Sequence, residues 1–185
     1  MDKNTKILIV GRTGSGKSTI ENYLFEKYGL TGIKSYATRP QRGPEDDGHI
    51  FISDEEAKQY KDLATFTEIN GYKYFSTEEQ LQENDVYVID VIGIERLLEK
   101  YPSYNYIILH VTAPYEVRKE RTSSRINFNF EDRQISEDKQ FKNIEDKEYV
   151  QQLLSSPQLR SALLEEIINT DFEKTKEQLD KIFNY

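Results

Sequence analysis

The chain of 185 residues has no cysteine, which rules out disulfides, thiolate metal sites and cysteine nucleophiles and agrees with a reducing compartment. No apolar run approaches the length of a membrane span, so no membrane partner is expected. Residues 1–6 lead straight into Ile7-Leu8-Ile9-Val10 with no secretory apolar region, and the expected location is the cytoplasm. Basic charge is scarce overall: 25 Lys and Arg face 33 Asp and Glu, for a formal charge of -8. A general nucleic-acid coat needs a basic face, so a nucleic-acid polymer is not an expected partner. Internal repeats and low-complexity tracts are also missing. The length suits one domain with its own core.

Against that background the run Gly11-Arg12-Thr13-Gly14-Ser15-Gly16-Lys17-Ser18 is the most informative segment. It follows a β-branched run that reads as a buried strand. Ile20, Tyr23 and Leu24 then recur at helical spacing. A Gly-x4-Gly-Lys-Ser pattern between strand and helix reads as a phosphate-binding loop. Glycines 11, 14 and 16 permit positive φ and close approach, so the N–H groups from Gly11 through Thr19 can converge on a triphosphate. The helix start adds its dipole. Lys17 would place an ammonium on the β- and γ-phosphates, and the Ser18 hydroxyl would join the coordination sphere of a Mg2+ ion. An acidic chain that binds anions must concentrate positive charge locally. Arg12, Lys17, Arg39 and Arg42 form one cluster in sequence, and Arg118, Arg121, Arg125 and Arg133 another.

Downstream, residues 34–36 read as a short strand before a turn-rich loop over 38–48, and residues 49–52 as extended. Ser53 and Glu56 have capping-box spacing for a helix from 54 to about 63. Residues 66–69 and 72–75 read as a hairpin across Asn70-Gly71. Thr77 starts another capped helix. The apolar runs 86–91 and 106–111 read as strands covered on both faces, separated by a helix over 93–100 and followed by one from about 114 to 122. Residues 131–162 are polar with helical spacing, 167–169 read as a short last strand, and 172–183 as an amphipathic helix. This alternation predicts an α/β fold around a parallel sheet with right-handed crossovers.

Taken in order, Gly11 to Ser18, Ser35-Tyr36-Ala37-Thr38-Arg39-Pro40-Gln41-Arg42, Gly71-Tyr72-Lys73-Tyr74, Ile89-Asp90-Val91-Ile92-Gly93 and Arg121-x3-Arg125 resemble the guanylate kinase family. The resemblance implies a three-layer P-loop NTPase fold with a five-stranded parallel sheet, a small α+β monophosphate-binding insert at about 35–83 and a helical lid at about 122–134. It further implies transfer of the γ-phosphoryl of MgATP onto GMP or dGMP by a monomer or homodimer. On that resemblance Arg39 and Arg42 hold the acceptor phosphate with Tyr74, and Ser35 and Asp90 touch guanine. Arg121, Arg125 and Arg133 close over the phosphates and adenine, and Asn169 lies near the adenine or serves as a strand-end turn residue. His49 stands near the place of a second phosphate-contacting Tyr, as a donor or as a half-exposed structural residue. One departure is plain. Counting back from Tyr74, the family's guanine-reading Glu falls at Thr65, and Glu68 could replace it only through a slip in hairpin register.

Three other readings stand beside this one: a kinase for another or a broader set of bases, a non-catalytic guanylate-kinase-like binding module, and a small GTPase. Asp90-Val91-Ile92-Gly93 suits a GTPase, but the guanine-reading Asn-Lys-x-Asp element is absent. Binding modules of this kind tend to lose loop residues, whereas Lys17 and Ser18 are intact.

Overall fold

The computed structural model describes residues 2–44, 46–69, 71–125 and 128–184. Strand β1 (Thr5–Val10) is buried along its whole length. Alternate side chains serve opposite faces of the sheet, as strand periodicity requires. Leu8 and Val10 join a core with Ile94, Leu97, Ile108 and Phe141, while Ile7 and Ile9 join another with Ile20, Leu24, Val111 and Leu179. A sheet buried on both sides, with helices above and below, is the three-layer arrangement expected from the chain's alternation.

The central sheet has the order β6 (Val86–Val88), β1, β7 (Asn105–Thr112), β8 (Ser161–Ile168), and every pairing is parallel. Among the described residues it has four strands, not the five expected. Beside β6, where a fifth would add, the chain makes one isolated bridge, Gly32 to Val86. Then β2 (Ser35–Ala37) departs into a second sheet ordered β3 (His49–Phe51), β2, β5 (Tyr72–Thr77), β4 (Leu63–Ile69).

Helix α1 (Lys17–Tyr28) and helix α8 (Phe172–Phe183) pack on one face of the central sheet. Helices α4 (Val91–Lys100), α6 (Phe130–Phe141) and α7 (Lys147–Leu154) pack on the other. Helix α5 (Tyr115–Thr122) leads from β7 toward α6, and Phe130 at the start of α6 stands edge-on to Tyr115, 5.2 Å between ring centroids.

Several element boundaries differ from the sequence reading, three of them by the most. The Ser53–Glu56 capping box is present, yet α2 stops at Asp54–Ala57 because none of its residues is buried, and Tyr60 turns onto Tyr36 and Phe75 instead. The short helix α3 (Glu78–Glu83) starts from Thr77 as its spacing indicates. The run 86–91 breaks after Val88 because the Asp90 carboxylate caps α4, accepting from Gly93 N–H at 2.7 Å. Strand β8 extends over eight residues, longer than 167–169. As an edge strand it has one strand partner among the described residues, and its Glu165 and Glu166 keep the sequence from reading as a core strand. Asn70 of the hairpin turn, and Ile126 and Asn127 within the expected lid, lie outside the described residues.

Candidate active site

The glycine-rich loop sits between β1 and α1. Gly14 and Gly16 take φ of 80° and 96°, the left-handed region that a side chain disfavours. Gly11 does not, contrary to the expectation for all three, and is needed for a different reason: a Cβ there would meet the Val111 carbonyl at 2.3 Å. Helix α1 begins with no side-chain cap, which leaves its first N–H groups available to an anion. Ser18 and Thr19 are exposed on its first turn.

A cleft of about 230 Å³ runs from this loop to the second sheet. Gly11, Thr13 and Lys17 line one end, and Ser35, Arg39, Arg42, His49, Thr65, Tyr74 and Asp90 line the other. Arg125 and Arg133 complete the wall.

Lys17 Nζ donates to the Gly11 carbonyl at 2.6 Å and the Arg12 carbonyl at 3.3 Å. Removal of water by the packed surroundings, reinforced by Arg133, Arg125 and Arg118 and opposed by Glu137, pushes its pKa down to about 8. Folding therefore disfavours the ammonium form, and stability gained from this group rises with pH between about 8 and the usual 10.5. A bound polyphosphate reverses the shift. At pH 8, nucleotide binding is expected to take up about half a proton, falling to about a tenth at pH 7. Calorimetry in buffers of different ionisation heat measures this, and an enthalpy independent of buffer at pH 8 would refute it.

The remaining arginines divide by what they touch. Arg12 turns away from the cleft to pair with Asp138 and, at 2.9 Å, with Glu145. Only its backbone stays in the loop, which corrects the expectation that its charge faces phosphate. Arg118 donates to the Ala113 and Thr13 carbonyls at 3.1 and 3.5 Å, and Arg121 reaches the Gly14 carbonyl at 3.4 Å without lining the cleft. Arg133 Nε donates to Thr13 Oγ1 at 3.2 Å. Asn169 is buried at the end of β8, where it donates to the Ser15 carbonyl at 2.7 Å and accepts from the Thr175 hydroxyl at 3.1 Å. Both ends of its amide are thus engaged in bracing the loop, rather than held open toward an adenine.

At the other end, Arg39 is 7% exposed and grips Asp46 through two nitrogens at 2.5 and 2.9 Å. This pairing holds the Asp46 carboxyl down at about 2. Among the described residues, Arg39 Nε nevertheless has no hydrogen-bond partner. Arg42 is exposed, and its backbone N–H donates to the same Asp46 carboxylate at 2.9 Å. His49 Nδ1 lies 2.9 Å from Ser35 Oγ, and burial, with Arg39 nearby, pushes its pKa down to about 4. The ring is neutral at physiological pH.

Thr65 and Thr67 alternate toward the cleft with Ile69, while Glu68 is exposed on the opposite face of β4. The ladder pairs Glu68 with Lys73 and Thr67 with Tyr74. That register keeps Glu68 out of the cleft, correcting its place among the candidates. A buried hydroxyl cluster stands at this end of the cleft: Thr65 Oγ1 is 2.9 Å from Ser76 Oγ and 3.1 Å from the Tyr87 hydroxyl. Asp90 supplies the carboxylate at this end of the cleft, with Oδ1 committed to the α4 cap.

An AAA domain family model, AAA_18, matches residues 7–151. Guanylate kinase of Helicobacter pylori strain 26695 is 32% identical over 186 residues, spanning 92% of this chain and 82% of that protein. The corresponding protein of strain J99 is 33% identical over 193 residues, spanning 96% and 85%. This chain belongs to the guanylate kinase family. A crystal structure of guanylate kinase from Anaplasma phagocytophilum shares the fold, with a TM-score of 0.60 at 18% identity over 97% of this chain and 84% of that one.

For a guanylate kinase family member, three residues lining the cleft or packed behind its wall escaped the sequence reading. Ser76 and Tyr87 carry no motif and meet Thr65 only through sheet packing. Glu137 is 1% exposed and contacts the glycine-rich loop. Its only sequence signal is the i,i+4 spacing from Arg133, which on most helices marks a solvated ion pair.

Proposed function

We propose that this protein is a guanylate kinase that moves the γ-phosphoryl of MgATP onto GMP or dGMP. The observation that carries this reading is the single cleft that joins Lys17 and Thr13 at one end to Arg39, Arg42 and Tyr74 at the other. Two anion-binding ends in one cavity suit a donor and an acceptor held in line. Arg39 Nε, without a partner among the described residues, adds support, since a buried guanidinium N–H gains from an incoming phosphate oxygen.

In this reading residues 35–83 form the monophosphate-binding insert and residues 122–134 the lid. The acceptor oxygen is anionic near neutral pH, so no general base is required. Lys17, Arg125 and Arg133 neutralise charge on the transferring group, while Arg39, Arg42 and Tyr74 fix the acceptor. A neutral His49 can donate through Nε2–H when Nδ1 accepts from Ser35. Asp90 offers Oδ2 to a donor edge of the base.

Among the described residues no three His, Asp or Glu side chains converge to hold a metal. The exposed Ser18 hydroxyl is an oxygen donor that fits a cation arriving on the nucleotide and keeping its phosphate and water ligands. When bound, Mg2+ supplies further neutralisation of phosphate charge.

An ATP-coupled assay over GMP, dGMP, AMP, dAMP, CMP, UMP and dTMP tests the proposal. GMP turnover is expected to fall by about a hundredfold or more in Asp90→Ala, which removes the base-facing carboxylate, and by less than about tenfold in Thr65→Ala, whose hydroxyl is already engaged. Preference for a pyrimidine would overturn the acceptor assignment. Tight ATP binding with no turnover on any acceptor would favour a silent binding module instead.

A further inference from the structure

Glu137 places a buried carboxylate on the glycine-rich loop. Its Oε1 accepts from the Thr13 backbone N–H at 2.9 Å, the Thr13 hydroxyl at 2.6 Å and Arg133 Nε at 3.0 Å, and Oε2 accepts from Gln134 at 3.1 Å. A backbone N–H of a phosphate-binding loop, a hydroxyl and a guanidinium gathered on one anionic oxygen form the contact set of a phosphate oxygen. Within the loop, Gly11, Thr13 and Lys17 line the cleft, whereas Gly14, Ser15 and Gly16 do not. Thr13 therefore marks the loop's acceptor-facing side, where the last phosphate of a chain must lie for transfer.

We propose that Glu137 is an internal stand-in for the terminal phosphate of the nucleotide: it occupies Thr13 and holds Arg133 in the empty enzyme, and the triphosphate displaces it and takes over both groups. This rests on the reading of the loop as a triphosphate site. Two anions cannot share one N–H donor in a desolvated pocket without strong repulsion. Glu137 must withdraw, and Arg133 is released from it beside the incoming charge.

Helix α6 is built for such a withdrawal. Its buried stripe is Phe130, Gln134, Glu137 and Phe141, apolar at both ends and polar where it crosses the loop. The polar middle can be rehydrated at little cost, while Phe141 stays in the core. Arg12, next to Thr13, adds a strap through Asp138 and Glu145, whose side chains are 67% and 45% exposed.

Calorimetric titration of the protein with ATP and, separately, ADP tests the proposal. In Glu137→Gln, which keeps shape but loses charge, ATP is expected to bind about tenfold more tightly and ADP no more than about twofold. A merely structural role would weaken both nucleotides together. The doubly substituted Asp138→Asn/Glu145→Gln protein alters only the exposed strap, and a gain of about twofold for ATP is expected there. On the unmodified protein, hydrogen exchange of α6 amides should quicken with a non-hydrolysable ATP analogue but not with ADP. Equal shifts for the two nucleotides, weaker ATP binding in Glu137→Gln, or unchanged α6 exchange would overturn the proposal. Failure of the unmodified protein to bind ATP would instead sink the reading of the loop.

Discussion

Lys17→Ala is expected to lower kcat by about a thousandfold while the protein remains folded, because one preorganised cationic donor at a developing phosphoryl charge is worth about that much. Lys17 is the loop's own ammonium in the cleft, held ready by the Gly11 and Arg12 carbonyls at 2.6 and 3.3 Å. Those bonds matter for how the result is interpreted. Truncation leaves the Gly11 carbonyl without this donor, at a cost of about 1–3 kcal/mol, which for a domain of this size lowers Tm by several degrees. A loss of activity accompanied by a larger drop in Tm would report a damaged loop rather than missing charge. Lys17→Met separates the two, since it keeps the stem without the ammonium and should be as inactive with a smaller change in Tm. The buffer dependence of nucleotide binding should disappear in both variants, because Lys17 is the group whose pKa the ligand raises. Activity above about a tenth of the unmodified protein in either variant would remove Lys17 from the transfer step.

What the sequence disclosed was mostly local. The loop from Gly11 to Ser18 is legible because its glycines, lysine and flanking periodicities all lie within one strand-turn-helix unit, and α8 has the predicted bounds because its apolar spacing is strong. The failures were cases in which a distant partner decided the outcome. Strand β8 looks polar because it sits at an edge, and the end of β6 is set by Asp90 choosing to cap α4. Glu68 resembles a candidate base reader in sequence, but the pairing of β4 with β5 turns it outward. Arg12 looks like a phosphate ligand within its motif, and only the tertiary approach of Asp138 and Glu145 explains why it faces elsewhere. Asn169 was expected near the adenine or as a strand-end turn residue, and its two hydrogen bonds, to Ser15 and Thr175, make it a brace of the loop instead.

Arg39→Ala should have the largest effect on the acceptor side, lowering kcat/KM for GMP by about a thousandfold with ATP affinity unchanged within about twofold. Two terms add. The bidentate guanidinium that would grip the acceptor phosphate is gone, and Asp46, which Arg39 holds at 2.5 and 2.9 Å, becomes an unneutralised carboxylate near the incoming anion. The second term is separable. In Arg39→Ala/Asp46→Asn the repulsion is removed while the fork stays missing, so about tenfold of the loss should return. Arg39→Lys retains a charge but loses the planar geometry and the stacking over Phe51, 4.8 Å from its ring centroid. It should recover no more than about a tenth of the original activity. If Arg39→Ala weakens ATP binding as much as GMP binding, the two ends of the cleft are not distinct sites, and the assignment of donor and acceptor to opposite ends fails.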